Sequence, residues 1–108
     1  MSEPRSFEEF WPHYLKAHSD PKTRALHLGG TLAGLGGAAL FLATGHPGWA
    51  LAGLVMAYGA AWASHAIFER NMPATFTHPL WSLRGDFRML RLALAGRLDK
   101  EAAALKAP

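Results

Sequence analysis

Two histidines, His27 and His65, lie near the ends of a stretch that contains no Asp, Glu, Lys or Arg between Arg24 and Glu69. A third, His18, precedes it. Neutral imidazole is a good ligand for divalent transition metals and the side chain most ready to exchange protons near pH 7. The spacing is informative: His46 lies 19 residues after His27 and 19 before His65. If the run doubles back about His46, the two imidazoles meet at one depth. Glu69 follows His65 by four residues, a separation that puts both on one face of a helix. Its carboxylate would be either a further ligand or the acceptor that orients the imidazole. Any one histidine near a helix end has a plainer reading as a satisfied polar group; matched depth in an apolar span is what marks these as a site, because ionisable groups there are costly. A three-nitrogen set with one carboxylate suits Fe(II), Zn(II), Mn(II) or Cu(II), and spacing does not choose among them. His46 is too distant to join, and His13 and His78 read as supporting or surface groups.

The elements that must position these residues follow from the same run. Its 44 residues are twice the length of about 20 that one bilayer crossing needs. They predict a membrane hairpin of helices at about 21–44 and 49–70, joined by Gly45, His46, Pro47 and Gly48. Asp20 then Pro21 gives an N-cap and a first-turn proline, and the second helix stops before Asn71, Met72 and Pro73 because the residue ahead of proline disfavours helix. Gly30 and Gly34 form a GxxxG step opposite Gly53, Ala57 and Ala61, surfaces that pack helices closely and could also pair two copies as a homodimer. Ser6 and Glu9 have capping-box spacing and predict a helix over 6–18, with Phe7, Phe10, Trp11 and Tyr14 on one face as in an interfacial helix, a pattern that packing onto a protein core would share; Pro12 kinks it or opens it. Pro79 opens a last helix to Leu98, with Leu83, Phe87, Leu90 and Leu94 on one side and Arg84, Arg88 and Arg91 on another, an amphipathic helix that either lies on the bilayer or covers the hairpin's inner end, followed by a frayed tail from Ala102. The expected fold is all-α, one domain over 1–108: a transmembrane hairpin flanked by a short N-terminal helix and a C-terminal amphipathic helix.

Composition sets the exclusions. The chain has 108 residues, no cysteine and a formal charge of +3, so disulfides and thiolate chemistry are ruled out. Lys and Arg flank the hairpin on both outer sides and are missing from its turn, which favours a hairpin in a lipid bilayer, with both termini in the cytoplasm by the positive-inside rule, over a soluble helical core completed by dimerisation. The start mixes acidic and aromatic residues rather than forming a cleavable signal. The basic residues carry no nucleic-acid motif, and there is no nucleophile triad, phosphate loop or dinucleotide fingerprint.

Residues 10–31 and 58–89 resemble the small membrane protein family that contains the iron-dependent 2-hydroxy-fatty-acid dioxygenase of fatty-acid alpha-oxidation. The resemblance spans Phe7 to Met89. It rests on His18, on Arg24, His27 and Gly30, on His65 with Glu69, and on the corner at Asn71 and Pro73. This chain is similar to a short branch with two membrane segments where longer members have more. The resemblance implies shortening of a 2-hydroxy fatty acid by one carbon with Fe(II) and O2, and makes His18, His27 and His65 the metal-binding and catalytic residues, with Glu69 beside them. It also places Arg24 and Arg70 at the level where a substrate carboxylate could pair with them, the plainer role of both being interfacial anchoring. Two other readings stay open on the residues alone: axial ligation of a haem by two histidines, and a non-catalytic membrane scaffold.

Overall fold

A computed structural model describes residues 3–106 and is wholly helical apart from its connections: α1 (Phe7–Lys16), α2 (Pro21–Thr44), α3 (Pro47–Ser64) continued by a π-turn (His65–Glu69), a 3₁₀ turn (Ala74–Phe76), α4 (Pro79–Leu94) and α5 (Leu98–Lys106). The molecule is elongated, 50 × 28 × 27 Å. At one end α2 and α3 run as a bare hairpin. At the other, α1, α4 and α5 fold over the hairpin's root as a cap.

Local chemistry sets the helix boundaries. Ser6 Oγ accepts the Glu9 amide at 3.2 Å, while Glu9 reaches back to the Arg5 amide, so α1 starts with its orphan donors satisfied. Asp20 caps α2 through the Lys22 amide at 2.9 Å, and Gly45 ends it in the left-handed region at φ 75°, which a residue without Cβ adopts freely. The turn is tighter than expected: α3 begins at Pro47 with His46 as its cap residue. Pro12 lies inside α1 and does not open it.

Hairpin packing is backbone to backbone. A Cβ on Gly37 would lie 2.5 Å from the Trp49 carbonyl oxygen and 2.8 Å from Gly53 Cα, and one on Gly30 would lie 3.0 Å from the Ala57 carbonyl oxygen. The GxxxG face is therefore used within one chain. Around this seam the helices are apolar and uncovered, with Leu32, Leu42, Leu51, Leu54, Val55 and Met56 all exposed. Both hairpin arms, Pro21–Thr44 and Pro47–Glu69, are long and apolar enough to cross a membrane, and little of either is buried within the chain.

The cap corrects two expectations. Phe7, Phe10, Trp11, Tyr14 and Leu15 do not face outward as an interfacial stripe; with Met89, Leu92, Leu98 and Ala102 they form the hydrophobic core. On α4 the buried residues are Ser82, Gly85, Met89, Leu90 and Leu92; of the expected apolar stripe only Leu90 is buried, while Leu83, Phe87 and Leu94 are exposed, as is Leu80. The helix expected to run through Leu98 also breaks. Gly96, at φ 72°, and its neighbour close a Schellman motif, with the Arg97 amide donating to the Leu92 carbonyl and the Gly96 amide to that of Ala93, which turns the chain into α5. The frayed tail is thus helical through Lys106, and its Glu101 accepts from the Trp11 indole at 2.9 Å.

Candidate metal centre

Three elements deliver the three histidines. His18 sits in the connection after α1, His27 in the second turn of α2, and His65 at the start of the π-turn that ends α3. All three are buried. Each offers one ring nitrogen, and these atoms lie within 4.8 Å of one another; the ring centres are 4.6 Å (His18 to His27), 4.5 Å (His18 to His65) and 5.9 Å (His27 to His65) apart.

The hydrogen bonds around two of the rings fix which nitrogen is free. His18 Nδ1 lies 2.6 Å from the Tyr14 carbonyl oxygen, which can only accept, so Nδ1 carries the proton. His65 Nδ1 lies 2.6 Å from Asn71 Oδ1. The Asn71 amide nitrogen donates to the Ala17 carbonyl at 3.3 Å, which orients the amide and makes Oδ1 the acceptor from His65. Both Nε2 atoms are then bare lone pairs, and they face each other at 3.1 Å. Two acceptors at that distance repel unless a cation lies between them. Burial first, and then the neighbouring His27, holds the His18 pKa well below 6.5, so a proton is a poor candidate for that cation at neutral pH and a divalent metal a good one. The donor set fits a transition metal that accepts nitrogen ligands.

The third histidine of the group has a different neighbour. His27 Nδ1 is buried without a hydrogen bond among the described residues, and the nearest anion is Asp86 Oδ1 at 3.5 Å. Asp86, on α4, accepts from the Tyr14 hydroxyl. Burial raises the Asp86 pKa to about 6, against the lowering effect of that hydrogen bond, and burial together with Asp86 raises that of Tyr14. Tyr14 can lie this close because Gly85 has no side chain: a Cβ there would be 3.0 Å from the Tyr14 ring. A carboxylate behind a ligand histidine is the usual second-sphere arrangement of metal sites.

The remaining sequence candidates are placed elsewhere. Glu69 Oε2 accepts the Asp20 amide at 2.7 Å and is not part of the metal-capable group, so the structure uses it to tie the α1–α2 connection to the end of α3. Arg24 is buried, its guanidinium donating to the carbonyls of His18 at 2.9 Å and Ser19 at 3.0 Å, with Asp99 3.3 Å away. It therefore holds the backbone that carries His18. Arg70 is exposed and adopts φ 57° at the end of the π-turn. His13 is exposed, His46 caps α3 at the far turn, and His78 pairs with Glu3 at 3.2 Å. Asp86 and Tyr14 escaped sequence reasoning as site residues. A Tyr four residues before a candidate His was visible, but Asp86 lies 59 positions after His27 and only the cap's packing joins them.

A family model described as Mpo1-like, 2-hydroxy-palmitic acid dioxygenase, matches residues 4–98. No curated protein and no solved structure matches the chain.

Proposed function

We propose, from the premise that this chain belongs to the Mpo1-like family, that it is an Fe(II)-dependent dioxygenase that shortens 2-hydroxy fatty acids by one carbon at a membrane interface. The observation that carries this reading is the pair of unprotonated Nε2 atoms, His18 and His65, facing each other at 3.1 Å. His18, His27 and His65 would hold the metal. Bound there, iron would supply the redox chemistry that dioxygen needs and a Lewis-acidic point for a 2-hydroxy acid. The chain's own residues prepare the ligands: the Tyr14 carbonyl and Asn71 hold two imidazoles in the ligating tautomer, Arg24 fixes the His18 backbone, and Asp86 stands behind His27. The hairpin supports insertion in a bilayer, with the site at its root, where an amphiphilic acid presents its polar end. The terminal helices α1 and α5 both lie on the side of that root, and the charge bias of the sequence favours the cytoplasm for that side.

A haem between His27 and His65 is the weaker reading, because the His18 ring sits 4.6 and 4.5 Å from the other two and fills the space a macrocycle would need. Protein purified from iron-supplemented cells should carry non-haem iron and convert a 2-hydroxy fatty acid to the acid one carbon shorter. His65→Ala should lose both properties. Unchanged metal content in that variant, or a Soret band in the parent, would overturn the proposal.

A further inference from the structure

The outer face of α4 carries two stripes that lie outside the hydrophobic core. Leu80, Leu83, Phe87 and Leu94 are exposed, and at the α-helical repeat they fall within about 60° of the helix circumference. Arg84, Arg88 and Arg91 occupy roughly the next 60°. An apolar strip edged by arginines is the pattern of a helix in a membrane interface, with its apolar side toward acyl chains and its cations at headgroup level. The hairpin points the same way on separate grounds, since both arms are long and apolar enough to cross a membrane. Phe87 joins the two regions. It lines a groove with Leu35 of α2 and Leu54 of α3, and it also lines a hollow of about 350 Å³ walled by Phe7, Glu8, Arg84, Arg88 and Arg91.

That hollow is unbalanced in charge. Three guanidinium groups share one carboxylate, Glu8, which pairs with Arg88 at 3.1 Å. Arg84 and Arg91 have no anionic partner among the described residues. Arg84 lies over the Phe7 ring at 4.2 Å and Arg88 over Trp11 at 4.8 Å; such cation–π contacts hold a guanidinium by its face and leave its N–H fork to bind an anion. A second hollow, of about 320 Å³ beside Arg24, is balanced instead, with Asp99 at 3.3 Å from the guanidinium. We infer that the α1–α4 hollow binds the phosphate of an anionic phospholipid, whose acyl chains pass Phe87 onto the exposed strip of α4 and the hairpin. Charge selects an anion, and arginine forks suit phosphate oxygens. The adjoining apolar strip selects a phosphate that carries acyl chains over a free one. Phe7 and Glu8 come from α1 and the arginines from α4, so the bound lipid bridges two elements of the cap. The reaction proposed above plays no part in this assignment.

The test uses the full-length chain in a neutral detergent, titrated with dipalmitoyl phosphatidylglycerol, dipalmitoyl phosphatidylcholine or palmitate, with bound lipid counted by native mass spectrometry. The first phosphatidylglycerol should bind more tightly than either of the others. Arg84→Gln with Arg91→Gln should weaken it by about twenty- to thirtyfold, roughly fivefold for each charge lost beside a lipid headgroup. Arg97→Gln with Lys100→Gln removes the same net charge from residues that do not line the hollow and should leave binding nearly unchanged. Melting temperatures of both double variants should match the parent, because Arg84 and Arg91 lose no ionic partner. If the Arg84 and Arg91 variant fails to fold, the headgroup comparison on the parent chain still decides. Equal binding of phosphatidylcholine would overturn the assignment, as would palmitate binding as tightly as phosphatidylglycerol, which would make the hollow a seat for any amphiphilic acid. Undiminished phosphatidylglycerol binding in the folded Arg84 and Arg91 variant, or an equal loss in the Arg97 and Lys100 variant, would also sink it.

Discussion

Replacing Asn71 with Ala separates the tautomer of His65 from the presence of its ring. The Asn71 side chain accepts from His65 Nδ1 at 2.6 Å and donates to the Ala17 carbonyl at 3.3 Å. Its removal leaves the His65 ring free to rotate and to place its proton on Nε2, the atom that faces His18. Loss of an outer-sphere partner of this kind typically lowers metal affinity ten- to a hundredfold, equivalent to about 1.4–2.8 kcal/mol. The residue is exposed, and loss of such hydrogen bonds costs the fold only about 0.5–1.5 kcal/mol each, so the variant should remain folded while it binds metal weakly. Asn71→Asp keeps the acceptor for His65 but cannot donate to Ala17, and it should bind at least as tightly as the parent. Competition against a coloured chelator, anaerobically with Fe(II) and again with Zn(II), reads both variants and His65→Ala on one scale. If Asn71→Ala bound metal as tightly as the parent while His65→Ala did not bind, the tautomer reasoning would be refuted even though the ligand assignment survived.

Two further outcomes follow from packing and charge. Gly37→Ala forces a Cβ to within 2.5 Å of the Trp49 carbonyl oxygen and should cost about 1–3 kcal/mol, as overpacking does; Gly36→Ala, with nothing within 4 Å, should be neutral or stabilise by roughly 0.5–1 kcal/mol through helix propensity. Thermal unfolding in detergent compares them, and equal melting temperatures would contradict the hairpin packing. In the metal-free chain, His18 has a pKa lowered by burial, so the unfolded state takes up its proton first and stability falls as pH drops below about 6.5. Asp86, raised to about 6, works in the opposite sense: the folded state holds the proton, so stability from this group rises as pH falls from 6 towards 3.8. Asp86→Asn removes the second contribution, and the variant should lose stability more steeply than the parent between pH 6 and 4, as followed by circular dichroism in the presence of a chelator. A parallel pair of profiles would mean that Asp86 is not the buried acid described here.

The hairpin was legible because its signal is local: an uncharged run, an Asp-Pro start and a Gly-His-Pro-Gly turn state the two helices and their register, and the register states that His27 and His65 meet. His18 was legible by proximity to the same root. The cap was read less well, because an aromatic stripe on a short helix looks the same whether lipid or protein covers it. Phe7, Phe10 and Trp11 are covered by α4 and α5, and only long-range packing decides that. The break at Gly96 was available in sequence as a C-terminal glycine but was overridden by the apolar pattern running through Leu94 and Leu98. Asp86 stayed hidden because, of the apolar stripe on α4, only Leu90 is buried, while Leu83, Phe87 and Leu94 are exposed. The true inner face joins Ser82, Gly85 and Asp86 to Met89 and Leu92, and a search for apolar periodicity passes over its first half.

The π-turn explains why Glu69 and Arg70 serve the site indirectly. Had α3 continued as a regular helix, Glu69 would share a face with His65 and Asn71 would project elsewhere. Instead the wider turn, closed by the left-handed Arg70, brings the amides of both Arg70 and Asn71 back to the His65 carbonyl. The Asn71 side chain then meets the His65 ring, and Glu69 is left to hold the Asp20 amide. Such π-segments are frequent at functional sites, and a non-glycine residue at positive φ stores about 1–3 kcal/mol of strain that neighbouring structure must hold. The neighbouring structure here is the connection carrying His18, fixed by Arg24, Glu69 and Asn71 together. The hairpin alone carries two of the histidines; the third, and the tautomers of His18 and His65, depend on the docking of α1 and its connection. Were a cation bound by the three histidines, its binding and the docking of the cap would be one equilibrium, in which facing lone pairs at 3.1 Å oppose the empty closed state and the cation favours the closed one.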